Sequence, residues 1–192
     1  VKKNKLYLYG LLLGQVILSS SLSACSTVAL TVTDPRSIAT TTDDQYTMRD
    51  LQFKYMNHDF ESDHIQITVY NHEALLNGQV INHQHRENAV NLAKSSPNIN
   101  HVYDYLYISS NYSSTSMSDT AITAGVKTAL FGSSDINSND VKIVTNNGEV
   151  FILGIIDKQQ LEKMIKTAYS VDGVKKVIPL VHYKSSDSKF NW

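Results

Sequence analysis

The chain has 192 residues, 17 Lys and Arg against 18 Asp and Glu, a formal net charge of −1, 42% hydrophobic residues and a single cysteine. That length suits one medium domain or two small ones. The charge balance argues against a nucleic-acid partner, which calls for a strongly basic surface, and one cysteine excludes a disulfide within the chain. In chain order, Lys2, Lys3 and Lys5 make a basic head. An apolar stretch from Leu6 to Leu18 follows, broken only by Gly10, Gly14 and Gln15, and it gives way to Ser19, Ser20 and Ser21. This order predicts a secretory signal peptide over residues 1–24. The apolar core is shorter than the roughly 20 residues that span a bilayer as a helix.

Leu22-Ser23-Ala24-Cys25 resembles the lipobox of bacterial lipoproteins. The resemblance implies that the Cys25 thiol takes a diacylglycerol, that the leader is cut before it and that the new amine is acylated. An unpaired thiol is a liability in an oxidising compartment, and a thioether removes it. Several acyl chains also hold a membrane more firmly than one. An Asp after the cysteine would imply retention in the inner membrane; Ser26 implies the outer membrane, with the protein facing the periplasm. Without Lys2, Lys3 and Lys5, the rest carries 14 basic against 18 acidic side chains. Residues 25–45, rich in Ser, Thr and Asp with a turn expected at Asp34-Pro35, are expected to be the lipidated cysteine and a tether.

The remainder contains an internal repeat. Residues 65–108 align with 141–183: Ile65 meets Val141, Glu73 meets Glu149, Gly78 meets Gly154 and, after a one-residue gap, Leu106 meets Val181. In the second copy, alternating apolar residues flank Asn147-Gly148, a hairpin signal. Asp157 is placed to N-cap a helix whose apolar stripe is Leu161, Met164, Ile165 and Ala168, with Asp172-Gly173 at its end. A strand from Val174 to Tyr183 closes the unit. Ahead of the hairpin, Ser118 or Asp119 can cap a helix with Ile122, Val126, Ala129 and Leu130 on one face and Gly132 after it. The predicted order is α-β-β-α-β, an α+β fold of two tandem units, each a small mixed sheet packed with two helices.

The hairpin at Asn147-Gly148, the strand Glu149 to Ile156, the helix Leu161 to Tyr169 and Gly173-Val174 before the last strand resemble the BON domain. In the first copy, His72 stands in place of the hairpin glycine, and Asn98-Ile99 in place of Gly-Val. With the lipobox and the segment "TDPRS", the chain resembles the dual BON-domain lipoproteins of the Gram-negative outer membrane. The expected layout is BON domains at 46–110 and 119–184, a linker at 111–118 and a tail at 185–192. The resemblance implies a non-enzymatic protein that binds anionic phospholipid through its second BON domain and supports envelope integrity, with a link to the division site.

The contact is expected on the helix "DTAITAGVKTALFG", with Lys127, Phe131, Ala121 and Ile122 as headgroup contacts. Relatives carry a large aromatic at the slot of Ala121, an interfacial wedge that alanine lacks; Phe131 either replaces that wedge or belongs to the core. Residues 46–110 carry a net −3 and residues 119–184 a net +1, which also favours the second unit at an anionic surface. The alternative is an adaptor for outer-membrane assembly or cell-wall proteins, favoured by the acidic first unit and by Tyr103, Tyr105 and Tyr107, which share one strand face. Those tyrosines either form an interaction face, against the second unit for instance, or pack over a helix. His83 and His85 would share a face in a strand and hold a metal with Glu87, or else lie in a polar turn before a helix. The reading calls for no cofactor, no metal and no catalytic residue: there is no phosphate-binding glycine loop and no Gly-x-Ser-x-Gly.

Overall fold

A computed structural model describes residues 34–58, 60, 63–109, 116–133 and 136–184. The leader, Cys25, most of the linker and the tail at 185–192 lie outside the described residues. Ser37 starts the first helix, α1 (Ile38–Met56), by accepting the Thr40 N–H at 3.0 Å. Residues 38–45, expected as tether, are therefore helical. Their inner side is held by polar groups, because Asp44 and Thr47 are the first buried residues of α1. An apolar period has nothing to register there.

Strands β1 (His64–Tyr70) and β2 (Glu73–Val80) form an antiparallel hairpin, helix α2 (His83–Lys94) crosses over, and β3 (His101–Ile108) pairs parallel to β2. The second unit repeats this with α3 (Ser116–Phe131), a 3-10 turn (Ser138–Asp140), β4 (Val141–Asn146), β5 (Glu149–Ile156), α4 (Lys158–Tyr169) and β6 (Lys176–Tyr183). Each sheet has its β2-type strand in the middle, in the orders β1-β2-β3 and β4-β5-β6. The two αββαβ units are present as the repeat predicts. Asp157 caps α4 by accepting the Gln160 N–H at 2.8 Å. That helix ends at Tyr169 with Ser170, earlier than the glycine suggests; Gly173, at φ +88°, instead turns the chain toward β6.

Gly78 and Gly154 occupy the same place in the two middle strands. A Cβ on Gly78 would lie 2.0 Å from the His64 carbonyl oxygen, and one on Gly154 would lie 2.7 Å from Val141 Cγ1 and 2.9 Å from the Asp140 carbonyl. The neighbouring strand passes too close for a side chain, which is why both copies keep glycine.

Three apolar layers result. Leu51, Ile67, Leu76 and Val80 fill the space between α1/α2 and the first sheet. Val126, Leu130, Ile152 and Met164 do the same for α3/α4 and the second sheet. Between the sheets, Tyr70, Leu75, Phe151, Leu153, Ile178 and Leu180 are buried together. The described residues from Pro35 onward thus form a sandwich with the two sheets inside and the helices on the two outer layers. Tyr103 and Tyr105 pack into this seam, where the Tyr105 and Phe151 rings meet edge to face at 4.9 Å. The Tyr103 hydroxyl donates to Glu73 (3.1 Å), which also faces His182 Nε2 of the other unit (3.0 Å). Tyr107 donates to Glu149, and Tyr70 to the Asp140 carbonyl at 3.2 Å. The tyrosine face is turned to the second unit.

Candidate functional site

Helix α3 buries Ile122, Val126 and Leu130 at four-residue spacing and leaves Ala121, Ala124, Lys127, Thr128 and Phe131 toward solvent. Asp119 does not cap this helix. It lies in the first turn, and its buried carboxylate accepts the N–H groups of Asn147 (2.8 Å) and Gly148 (2.9 Å), gripping the hairpin turn of its own unit. Asp44 does the same in the first unit, accepting from Asn71 (2.5 Å) and His72 (2.8 Å). Asp44 also takes Arg36 at 2.7 Å, and the Arg36 guanidinium lies 4.0 Å over the Tyr70 ring. The "TDPRS" arginine therefore pins the incoming chain to the first unit. Sequence reasoning misses these clamps. The signal was available: an aspartate stands 27 residues ahead of the Asn-led turn in the first copy and 28 ahead in the second.

Of the expected headgroup contacts, Ala121, Lys127 and Phe131 are exposed, and Phe131, 63% exposed, is a surface residue and not core. Lys127 and Phe131 are four residues apart, so they are neighbours on the helix surface. Ile122 is a correction. It is buried against Gly173, where an added Cβ would lie 2.9 Å from Ile122 Cδ1. It cannot reach a membrane without unfolding the unit. Lys127 also borders an open groove with Thr120, Thr123 and Gln66, the last from the first unit.

Several lysines of the second unit are engaged within it. Lys184 pairs with Asp140 at 2.5 Å, Lys175 donates to the Asn147 side chain at 3.0 Å and Lys176 faces Glu149 at 3.8 Å. Burial, then the nearby Arg36 guanidinium, holds the Lys142 ammonium below the usual lysine range. Lys127 on α3, with Lys158 and Lys166 on α4, remains exposed.

His83 and His85 lie in the first turn of α2, not in a strand, and His85 Nδ1 meets Asp63 at 2.6 Å. Among the described residues no three His, Cys, Asp or Glu side chains are grouped to hold a metal, and no helix is long and apolar enough to cross a membrane. The sequence reading also passes over the outward face of α1, where Tyr46, Phe53 and Met56 are 69%, 68% and 82% exposed.

Two αββαβ units packed sheet to sheet, each with an aspartate gripping its hairpin, define a tandem-repeat α+β protein. The BON domain model matches residues 43–109 and 118–185, so the chain belongs to the BON-domain family. It is 35% identical over 163 residues to the outer membrane lipoprotein DolP of Haemophilus influenzae, covering 81% of this chain and 82% of that protein. It is 31% identical over 159 residues to the 21 kDa hemolysin of Actinobacillus pleuropneumoniae, covering 78% and 79%. A shorter match, 37% over 71 residues, is to the osmotically-inducible protein Y of Escherichia coli, covering 36% of this chain and 35% of that one.

Proposed function

We propose that this protein is an outer-membrane lipoprotein, anchored through Cys25 and facing the periplasm, that binds anionic phospholipid through α3 of its second unit. By doing so it supports envelope integrity, with action at the division site as the family resemblance implies. The role is non-enzymatic. The observation that carries it is the pairing of exposed Lys127 and Phe131 on one helix face of the less acidic unit. A lysine near an anionic surface contributes about 1 kcal/mol, and an acyl anchor makes a weak contact effective by keeping its local concentration high. The likeness to an outer membrane lipoprotein along most of both chains supports the location. The adaptor reading loses the tyrosine face, which is turned inward to the seam.

The test is co-sedimentation of the non-lipidated chain (residues 26–192) with vesicles. The intact pair of units is needed because either one alone would expose the seam. Anionic vesicles should bind it weakly and salt-sensitively. Lys127→Glu should weaken that binding more than Lys94→Glu, which lies on α2 of the first unit. Equal effects of the two variants, or no preference for anionic lipid, would reject the reading. Mass spectrometry of the mature N-terminus should find acylated Cys25 as the first residue; a free thiol there would reject the anchor.

A further inference from the structure

Helix α1 is built inside out. Its buried residues are Asp44, Thr47, Leu51 and Tyr55, whereas Ile38, Tyr46, Phe53 and Met56 are all mostly exposed. A helix on a globular surface normally turns its apolar stripe to the core. Here more large apolar side chains face out than in. With Thr42 and Arg49 these four form a single outward face, at spacings of four, four, three, four and three residues. No acidic residue lies on this face; Asp50 is to one side and pairs with Lys54 at 2.8 Å. Arg49 sits between the two aromatic rings in sequence and on the same face.

We infer that this face of α1 is a second membrane-contact surface, one that lies in the headgroup region of the bilayer that holds the anchor. The inference rests on the lipoprotein reading above but not on α3. Two observations select a lipid surface as the occupant. First, only residues 26–37 separate Cys25 from this helix in the sequence, and they can span at most about 40 Å. The Arg36 clamp onto Asp44 and Tyr70 fixes the point of entry beside the helix start. Among the described elements α1 is the one nearest Cys25 along the chain, and its outward face is about 27 Å long. Second, the composition suits an interface: Tyr and Phe rings flank an arginine whose stem can lie on apolar surface while its head stays at the phosphates.

The two contacts differ in kind. The α3 face offers one lysine, one ring and small residues; the α1 face offers four large apolar side chains and one arginine. They also lie on opposite outer layers of the sandwich, so a flat bilayer engages one at a time. The α1 contact is driven by apolar burial and survives salt; the α3 contact does not.

Residues 26–192 contain no cysteine, which permits a single environment-sensitive dye at Phe53→Cys or, on the corresponding turn of α3, at Thr128→Cys. Vesicles of neutral phosphatidylcholine, with and without phosphatidylglycerol, are added at low salt and at about 0.5 M salt, where screening acts over a few ångström. The dye at 53 should enter an apolar environment on both vesicle types at both salts. The dye at 128 should respond only with anionic lipid at low salt. Phe53→Ser with Met56→Ser should lower the bound fraction at high salt about tenfold, the equivalent of roughly 1.4 kcal/mol, while Lys127→Glu should leave it unchanged. If that double variant loses its fold, the dye at 53 decides. A silent dye at 53 alongside salt-sensitive binding through Lys127 overturns this inference and leaves the proposed function standing. Binding to no vesicle in any condition overturns both. A dimer in solution that the double variant abolishes would assign the face to a second copy and overturn the membrane contact.

Discussion

Helices α1 and α3 hold the same station in two copies of one unit, and what they share is internal. Asp44 and Asp119 grip the hairpins; Leu51 and Val126, then Tyr55 and Leu130, fill the core one turn apart. What differs is outward. Tyr46, Arg49, Phe53 and Met56 of α1 correspond to Ala121, Ala124, Thr128 and Phe131 of α3. The hairpins divide in the same way. Both turns hold two residues at positive φ, Asn147 (51°) and Gly148 (77°) in the second, but Asn71 (52°) and His72 (61°) in the first. The frame tolerates a strained residue where a buried aspartate holds the turn in place. The duplication therefore fixes the clamps and frees the faces, so that two surfaces of different character stand on one scaffold.

The comparison can be broken most severely at the seam. Phe151→Ala removes a fully buried ring from between the sheets, and we expect a loss of about 3–5 kcal/mol and separate unfolding of the two units in urea instead of one transition. The clamps come next. Asp44→Ala leaves two backbone N–H groups without their acceptor and Arg36 without its carboxylate, and should cost about 3 kcal/mol. Asp119→Ala should cost less, about 2 kcal/mol, because Asn147-Gly148 favours its turn unaided; equal losses would show that the clamp, not the turn sequence, decides both hairpins. In the opposite direction, His72→Gly should stabilise the first unit by about 0.5–1 kcal/mol by removing a side chain from the left-handed region, reduced by the lost contact of the ring with the Asn98 carbonyl at 3.3 Å. Thermal melting would read it.

The smallest effect concerns pH. Burial, then the charge of the Glu73 carboxylate that it meets, pushes Tyr103 up from its ordinary value of 10 to about 12. The folded protein holds the phenol proton more tightly than the unfolded chain does. This contribution is complete below pH 10 and is lost as the pH rises to 12. Tyr103→Phe should flatten the stability profile across that alkaline window and leave it unchanged at neutral pH.

The strands, the α4 cap and the pairing of Gly78 with Gly154 were legible because they are local: alternation, a turn dipeptide and a capping residue each act within a few positions. The first half of α1 was not, since its inner side is anchored by Asp44 and Thr47 and its apolar residues face outward. The periodicity of "IATTTDDQYTMRDLQFKYM" names the wrong face. Ile122 illustrates a second limit. The same stripe that places it in the core also carries it next to Ala121 in the chain, and only the packing against Gly173 separates the two roles. The partner of the tyrosine strand was open for a related reason: alternation shows that Tyr103, Tyr105 and Tyr107 share a face, but what covers that face is set by the other half of the chain.

One feature of the sheets reaches beyond the single molecule. Among the described residues β3 and β6 are edge strands of the two sheets, and edge strands expose a protein to edge-to-edge polymerisation. Asp104 and Pro179 stand at the same rung of these two strands, opposite Leu76 and Ile152. Asp104 puts a charge there, held by Arg86 at 2.8 Å. A proline fits a sheet only with its nitrogen turned to the open side, so β6 offers no donor at that rung. The two copies thus carry different gatekeepers at one position: Pro179 interrupts the continuous ladder that a neighbouring chain would need to extend the sheet into a fibril, and Asp104 sets a charged side chain against such stacking.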